Sequence, residues 1–543
     1  LVEKQIDTEE TLALIGLKQG DLDAVDEALC TASALLERHS EERLDSFASA
    51  GLRSRFANWG GIAQESAAGH VHACEAVHSD CSAALTEGWR RTGDWKAREL
   101  FDRLRARSDD TQRADDATRT GTTQSHETIQ ASMPRVSVRT ALVEYVDGLD
   151  TLYAYVVLSD AIRLVELGPR APIELRARRF VEEIASTDAT PVAILEDGGW
   201  LYQQLIEPVR KFLPLEVAAL TVIPTAALAI VPFDALVKPA PHLAGRTISF
   251  DDLPFLIDDY CVTYAPSSPV LAELEQRASN ERPPRFLILA DPGYDAEMQT
   301  GSIEKHPHRT LYSYGRLERT RDEAFEIARL LLVGNTSTTD TGHRRLNEIQ
   351  SERSPSMSTS SFDMYLGEQA TPEVLRTDLR GYTNLHFALH GEVDPADPRR
   401  SGLLLSRSDA SDGLLTLEEI LNLRLDADLV VLSACDTARG PIVRGEGVES
   451  IAWGFLHAGA RAVLATHWAV RDSDAVVIMR KMYDFHFQRR LPYAEALREA
   501  KLEYRRSREP RGKSPRGTQG SIASTAADPY FWSAFLLVGT APH

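Results

Sequence analysis

Two short apolar runs each stop on a chemically capable side chain, and no other feature constrains the fold as much. The first is Leu385-His386-Phe387-Ala388-Leu389, followed by His390-Gly391. The second is Leu429-Val430-Val431-Leu432-Ser433-Ala434, followed by Cys435-Asp436. Short apolar runs with polar or glycine boundaries read as strands buried on both faces. They belong to a longer alternation. Phe286–Pro292 reads as a strand and Arg319–Leu332 as a helix ahead of them. After them come helix Gly447–His457, strand Ala462–Ala465, helices Ala475–Phe487 and Tyr493–Arg506, and a last strand Phe535–Val538. This order predicts an α/β fold with a mainly parallel sheet covered by helices on both faces. Ligands of such sheets bind outside the carboxyl ends of the strands. If the two runs are neighbours, an imidazole stands beside a thiol at that edge.

An earlier segment reads as another α/β unit. Ala141–Tyr145, Leu152–Leu158, Leu220–Ile223 and Tyr260–Tyr264 are predicted strands, and Ile173–Ile184 and Leu201–Phe212 predicted helices. No His–Cys pair sits at its strand ends, and Cys261 within a strand reads as a buried structural thiol. Residues 1–104 read as helical: Ala24, Ala28, Ala32 and Leu35 recur at helical spacing after a Gly20-Asp21 break. Small residues at such contacts resemble tetratricopeptide hairpins, without a full repeat. Residues 105–134 are polar and Thr-rich, a linker. The expected organisation is therefore 1–104 helical, 105–134 linker, 135–280 first α/β unit and 281–543 second unit. Two polar insertions in the last, Gly334–Ser361 and Ser507–Asp528, read as exposed loops. The basic cluster Arg505–Arg516 reads as solvated.

Composition narrows the partners. Lys plus Arg number 60 against 80 Asp plus Glu, a net charge of −20, so no direct nucleic-acid binding is expected. No apolar run is long enough to span a membrane, and the first residues lack a signal-peptide pattern. Five cysteines, Cys30, Cys74, Cys81, Cys261 and Cys435, are few, scattered and odd in number. They read as reduced thiols of a cytoplasmic protein. His70, His72, Cys74, His78 and Cys81 cluster, and on one helix Cys74, His78 and Cys81 share a face. The spacing matches no common zinc module, so no metal and no cofactor are expected.

The chemistry follows from the two strand ends. His390 is placed to take the Cys435 thiol proton and later to protonate a leaving amine. Gly391 gives close backbone access, and the N–H groups of Gly391 and Cys435 are candidates for an oxyanion hole. The competing reading is a His and a Cys satisfied in the core. His386 shares parity with His390 but lies deeper, as a hydrogen-bonded structural histidine.

The residue pattern resembles CHAT-domain cysteine peptidases, relatives of separases and caspases. The matching segments include Tyr365–Thr371, Leu385–Gly391, Leu432–Thr437, Gly445-Glu446-Gly447, Ala458-Gly459-Ala460, His467–Asp472 and Pro529–Trp532. Upstream, Tyr202–Leu205, Val231–Leu236 and Tyr264–Ser267 also fit, so the resemblance covers residues 135–541. Ala438 stands where the family usually has Gly, and His467 where it usually has Leu. The resemblance implies that 135–280 is a non-catalytic caspase-like unit supporting an active 281–543, with His390 and Cys435 as the catalytic dyad. It also implies a protein substrate and activation by an upstream signal, in a bacterial stress or immune setting; a regulatory protein partner is expected on the helical region, because helical-repeat surfaces bind partners. The rival is a catalytically silent scaffold.

Substrate choice rests on the same resemblance. In separases an acidic residue shortly after the Trp matching Trp468 resembles a clamp for a P1 Arg, a geometry suited to bidentate pairing. Asp472 matches best, with Asp474 beside it. Asp436, Asp394 and Glu446 are further candidates. The alternative role for Asp472 is to cap the helix beginning near Ser473.

Overall fold

The computed structural model describes residues 2–41, 50–77, 80–93, 133–243, 245–277, 283–294, 316–334, 356–394, 397–433, 437–438, 440, 442–443, 447–448, 450–507 and 525–540. The chain opens with four helices, α1 (Val2–Gln19), α2 (Leu22–Glu41), α3 (Ala50–Ala76) and α4 (Ser82–Gly93). Strands β1 (Thr140–Asp147), β2 (Thr151–Val157) and β3 (Ile162–Pro169) follow, then helices α5 (Arg170–Ile184) and α6 (Pro191–Leu205). Next come β4 (Ala219–Ile223), β5 (Cys261–Tyr264), α7 (Ser268–Gln276), β6 (Phe286–Pro292) and α8 (Glu318–Gly334). Beyond these lie β7 (Ser356–Ser358), β8 (Phe362–Gly367), β9 (Asn384–Ala388), β10 (His390–Glu392), β11 (Gly402–Leu404), β12 (Leu414–Thr416) and β13 (Leu429–Ser433). The last elements are β14 (Ile442–Val443), β15 (Gly447–Val448), α9 (Ile451–Ala458), β16 (Ala462–Thr466), α10 (Asp472–Arg489), α11 (Tyr493–Arg506) and β17 (Phe535–Gly539).

Twelve strands join in one mainly parallel sheet, in the order β3, β2, β1, β4, β5, β17, β16, β13, β9, β6, β8, β7. Helices cover both faces. On β9, His386 meets Tyr483 of α10, whereas Phe387, one residue on, faces the opposite way onto Phe455 of α9 with ring centroids 5.4 Å apart. Every residue of β6, β9, β13 and β16 is buried. Each large apolar side chain so enclosed contributes about 1.5–3 kcal/mol, which explains why these runs read so clearly as strands.

Strands from both predicted α/β units lie in this one sheet. The last strand, β17, runs antiparallel to β16 and parallel to β5, stitching the earlier strands to the later ones. A buried ion pair sits at this seam. Lys501 Nζ on α11 donates to Asp234 Oδ2 at 2.5 Å and to the Phe535 carbonyl at 2.5 Å. Both side chains are nearly inaccessible, and burial raises the Asp234 carboxyl above its usual range.

Several expectations are corrected. Cys74 and Cys81 form a disulfide. They flank the turn between α3 and α4, which brings their Cα atoms within 5.8 Å, inside disulfide reach. The helix breaks there, so the two do not share one helical face; His78 lies outside the described residues. Cys261 is buried as expected. The helix predicted from Leu201 begins instead at Pro191, capped by the Thr190 hydroxyl, and ends at Leu205. That predicted from Gly447 begins at Ile451, because Gly447–Val448 pair with Ile442–Val443. Strand β3 was not anticipated. The insertion Gly334–Ser361 lies mostly outside the described residues, but its end pairs as β7 against β8. Arg505 is not solvated: it bonds Asp258 at 2.6 Å and lies over Phe255 and Trp532. The rest of that basic cluster and the linker lie almost wholly outside the described residues. Among the described residues no helix is long and apolar enough to cross a membrane.

Lys501→Ala strands Asp234 as a buried charge without its partner. Denaturant unfolding should show a loss of about 3–5 kcal/mol, and Lys501→Met with Asp234→Leu should recover most of it.

Candidate active site at the carboxyl edge of the sheet

Strands β9 and β13 are parallel neighbours, with Ser433 opposite Ala388. Both therefore end at the same level of the same edge. His390 lies two residues beyond Ala388. Cys435 lies two residues beyond Ser433 and, with Asp436 and Glu446, outside the described residues. Thr437, two residues after Cys435, is fully buried. Its Oγ1 accepts from the backbone N–H of Thr466, the last residue of β16, at 3.1 Å. Ala438 N–H in turn donates to the Thr466 carbonyl at 2.9 Å. Both ends of the Cys435 segment are thus anchored at this edge.

His390 does not continue β9. The strand breaks at Leu389, and His390 opens a hairpin in which it faces Leu404 and Gly391 faces Leu403. The half-buried ring of His390 packs on Tyr294 with centroids 5.3 Å apart. Its backbone N–H donates to Tyr294 Oη at 3.3 Å, and that hydroxyl donates to the Leu404 carbonyl at 3.3 Å. Tyr294 thus fixes the start of the hairpin that carries the imidazole. Asp394 follows in the loop. Its N–H donates to Ser401 Oγ at 2.9 Å and its Oδ1 accepts from Asp397 N–H at 3.1 Å, so it shapes the turn.

A narrow cleft of about 20 Å³ opens beside these strand ends, lined by Leu317, Thr320, Glu323, Leu389, Ser433, Thr466, Val470, Asp472, Ala475 and Phe535. Its walls are mostly apolar and its acidic groups are Asp472 and Glu323. Asp472 is the first residue of α10. Arg471 occupies the capping position before it without a side-chain cap. Burial, and then the neighbouring charge of Glu323, raise the Asp472 carboxyl to about 6. Asp474 sits elsewhere. Its carboxylate is fully buried and accepts from Arg471 Nε at 2.7 Å and Tyr504 Oη at 2.7 Å, away from the cleft lining.

His386 is wholly enclosed. Its Nδ1 lies 3.0 Å from Tyr483 Oη, and its Nε2 lies 3.0 Å from Glu323 Oε1. Sequence reasoning missed Glu323, which hides among the charged residues of α8. One signal points to it: it lies three residues after buried Thr320 and four before buried Ile327, on the inward face. His467 packs edge-on to Tyr264 and stacks on Trp468, lining a second, apolar pocket at the seam rather than this cleft. Among the described residues no His, Cys, Asp or Glu group could hold a metal.

Residues 195–540 match the model of the CHAT domain. The chain belongs to the CHAT domain family. No curated protein sequence matches it. Among solved structures, the separase–securin complex of Saccharomyces cerevisiae is similar at 10% identity and a TM-score of 0.47, covering 99% of this chain and 40% of the matched one. This chain therefore spans about 40% of that chain's length. The Arg-specific cysteine proteinase gingipain R of Porphyromonas gingivalis matches at 8% identity and a TM-score of 0.33, covering 68% of this chain and 73% of gingipain. In this CHAT protein the family match takes in both strand ends, the cleft and the stitching strand β17.

The raised Asp472 carboxyl carries a stability consequence. A group whose folded pKa lies above its unfolded value opposes folding once ionised, so the penalty grows from about pH 4 and is complete above about pH 6. Asp472→Asn should therefore be more stable than wild type at pH 8, by about 1–3 kcal/mol. The two should be nearly equal below pH 4, as read by thermal unfolding at each pH.

Proposed function

We propose that this CHAT protein is a cysteine endopeptidase acting through Cys435 and His390. The observation that carries the reading is the register of β9 and β13, with Ala388 opposite Ser433. In the proposed reaction the Cys435 sulfur attacks the scissile carbonyl carbon and its proton passes to His390. Backbone N–H groups of Gly391 and Cys435 stabilise the developing oxyanion. The C–N bond breaks as His390 protonates the leaving amine. Water, deprotonated by His390, then hydrolyses the thioester.

The cleft supports a basic P1 residue. Leu317, Leu389, Val470 and Phe535 offer apolar walls for the methylenes of a long side chain, while Asp472 offers a carboxylate for its cationic end. Asp394, Asp436 and Glu446 are close in sequence to the catalytic pair and are candidate contacts for neighbouring substrate positions. The helical region is the proposed seat of a regulatory protein partner. It is wired to the sheet, because Trp89 Nε1 on α4 donates to buried Glu144 Oε2 of β1 at 2.7 Å.

Cys435→Ala and His390→Ala should each lower peptide cleavage by about 10³-fold or more with folding retained. Equal turnover by Cys435→Ala would contradict the reading. For a P1 Arg peptide, kcat/KM should rise as pH passes about 6, because ionised Asp472 attracts the cation. Asp472→Asn should flatten that rise. A screen in which P1 Asp or P1 Leu is preferred would overturn the basic-P1 assignment.

A further inference from the structure

Buried Glu323 joins the two strands that lead to the catalytic pair. One oxygen, Oε2, accepts from Ser433 Oγ of β13 at 3.2 Å. The other, Oε1, lies 3.0 Å from His386 Nε2 of β9. His386 in turn meets Tyr483 Oη of α10 at 3.0 Å. Nδ1 and the Tyr483 hydroxyl are hydrogen-bonded, whereas Nε2 and Glu323 Oε1 meet as a close polar contact whose angle does not make a hydrogen bond. Glu323 is 1% exposed and His386 0% exposed, so water does not compete for these contacts.

The helix that carries Glu323 is itself fixed to the sheet. Asp291 N–H at the end of β6 donates to Thr320 Oγ1 at 3.1 Å. The Asp291 carboxylate accepts two bonds from Arg316 and one from Arg321, all 2.7–2.8 Å long. The cross-brace therefore runs from an immobilised helix to both catalytic strands. It meets them four residues before His390 and two before Cys435.

We propose that Glu323 is a positioning residue: through Ser433 and His386 it sets the alignment of Cys435 with His390. This rests on the peptidase reading above. A carboxylate charge opposes the ionisation of any thiol within its reach. Removing the charge alone would favour the thiolate and speed its alkylation. Losing the alignment would do the opposite, because the imidazole no longer promotes ionisation. The two effects have opposite signs.

The test is the rate of iodoacetamide alkylation at Cys435 in the full-length protein, read by peptide mass spectrometry. Exposed Cys30 serves as the internal reference, and buried Cys261 stays unlabelled while the fold is intact. Glu323→Gln should slow Cys435 by about tenfold relative to Cys30, and His390→Ala should slow it at least as much. Ser433→Ala should also slow it, and the double variant with Glu323→Gln should be no slower than Glu323→Gln alone, because both cut one brace. If folded Glu323→Gln reacts at the wild-type rate or faster while His390→Ala is slow, the positioning role is wrong and the dyad stands. If His390→Ala reacts at the wild-type rate, the dyad itself is wrong. Should Glu323→Gln fail to fold, Ser433→Ala decides: slowing supports the brace, and an unchanged rate overturns it.

Discussion

The pairing of β13 against β9 is the constraint on which everything else depends. Its register is fixed from both faces of the sheet. His386 points to Tyr483 and Glu323, while Phe387 points to Phe455. A slip of one residue would drive the imidazole into the aromatic layer and the phenyl ring onto a carboxylate. Each misplacement costs more than a surface contact can recover, since a buried polar group without its partner loses several kcal/mol. Core packing thus sets where the two strands end.

The same sheet explains why the earlier strands matter to an edge they do not form. β17 closes against β16 on one side and β5 on the other, so the strands of 135–280 continue the sheet that carries the candidate site. Lys501 ties that junction through Asp234 on one side and the Phe535 carbonyl on the other. Phe535 also lines the acidic cleft. The first α/β segment is thus joined to the cleft by β17 and by the side chains of α11 that bridge the seam. The helical region joins at the far end, through the Trp89–Glu144 bond.

Much of this was legible in the sequence, for a physical reason. Strands buried on both faces must be continuously apolar, so Phe286–Ala290, Leu385–Leu389, Leu429–Leu432 and Ala462–Ala465 announce themselves. β3 does not, because its residues are mostly half-exposed or exposed and include Arg163 and Glu166. The break at Leu389 was also hidden: an apolar residue gave no sign that the strand stops before His390. Of the candidate acids, Asp472 lines the cleft while Asp474, two positions on, is committed to Arg471 and Tyr504. Helical periodicity separates two such positions by roughly 200°, which the residue types alone could not reveal. Glu323 was invisible for the opposite reason. A glutamate on a charged helix looks like surface until the buried neighbours on its face are counted. The Cys74–Cys81 disulfide escaped because a cysteine count says nothing about a turn that brings two of them together.

The central proposal is that the edge where β9 and β13 end carries a cysteine nucleophile, with Asp472 of the neighbouring cleft receiving a cationic side chain. The most direct measurement is labelling of the full-length protein with a peptidyl acyloxymethyl ketone bearing P1 Arg, mapped by mass spectrometry beside the P1 Asp analogue. The account predicts a single thioether adduct on Cys435 from the Arg reagent and little or none from the Asp reagent. Adducts confined to Cys30, or equal labelling of Cys435 by both reagents, would contradict it.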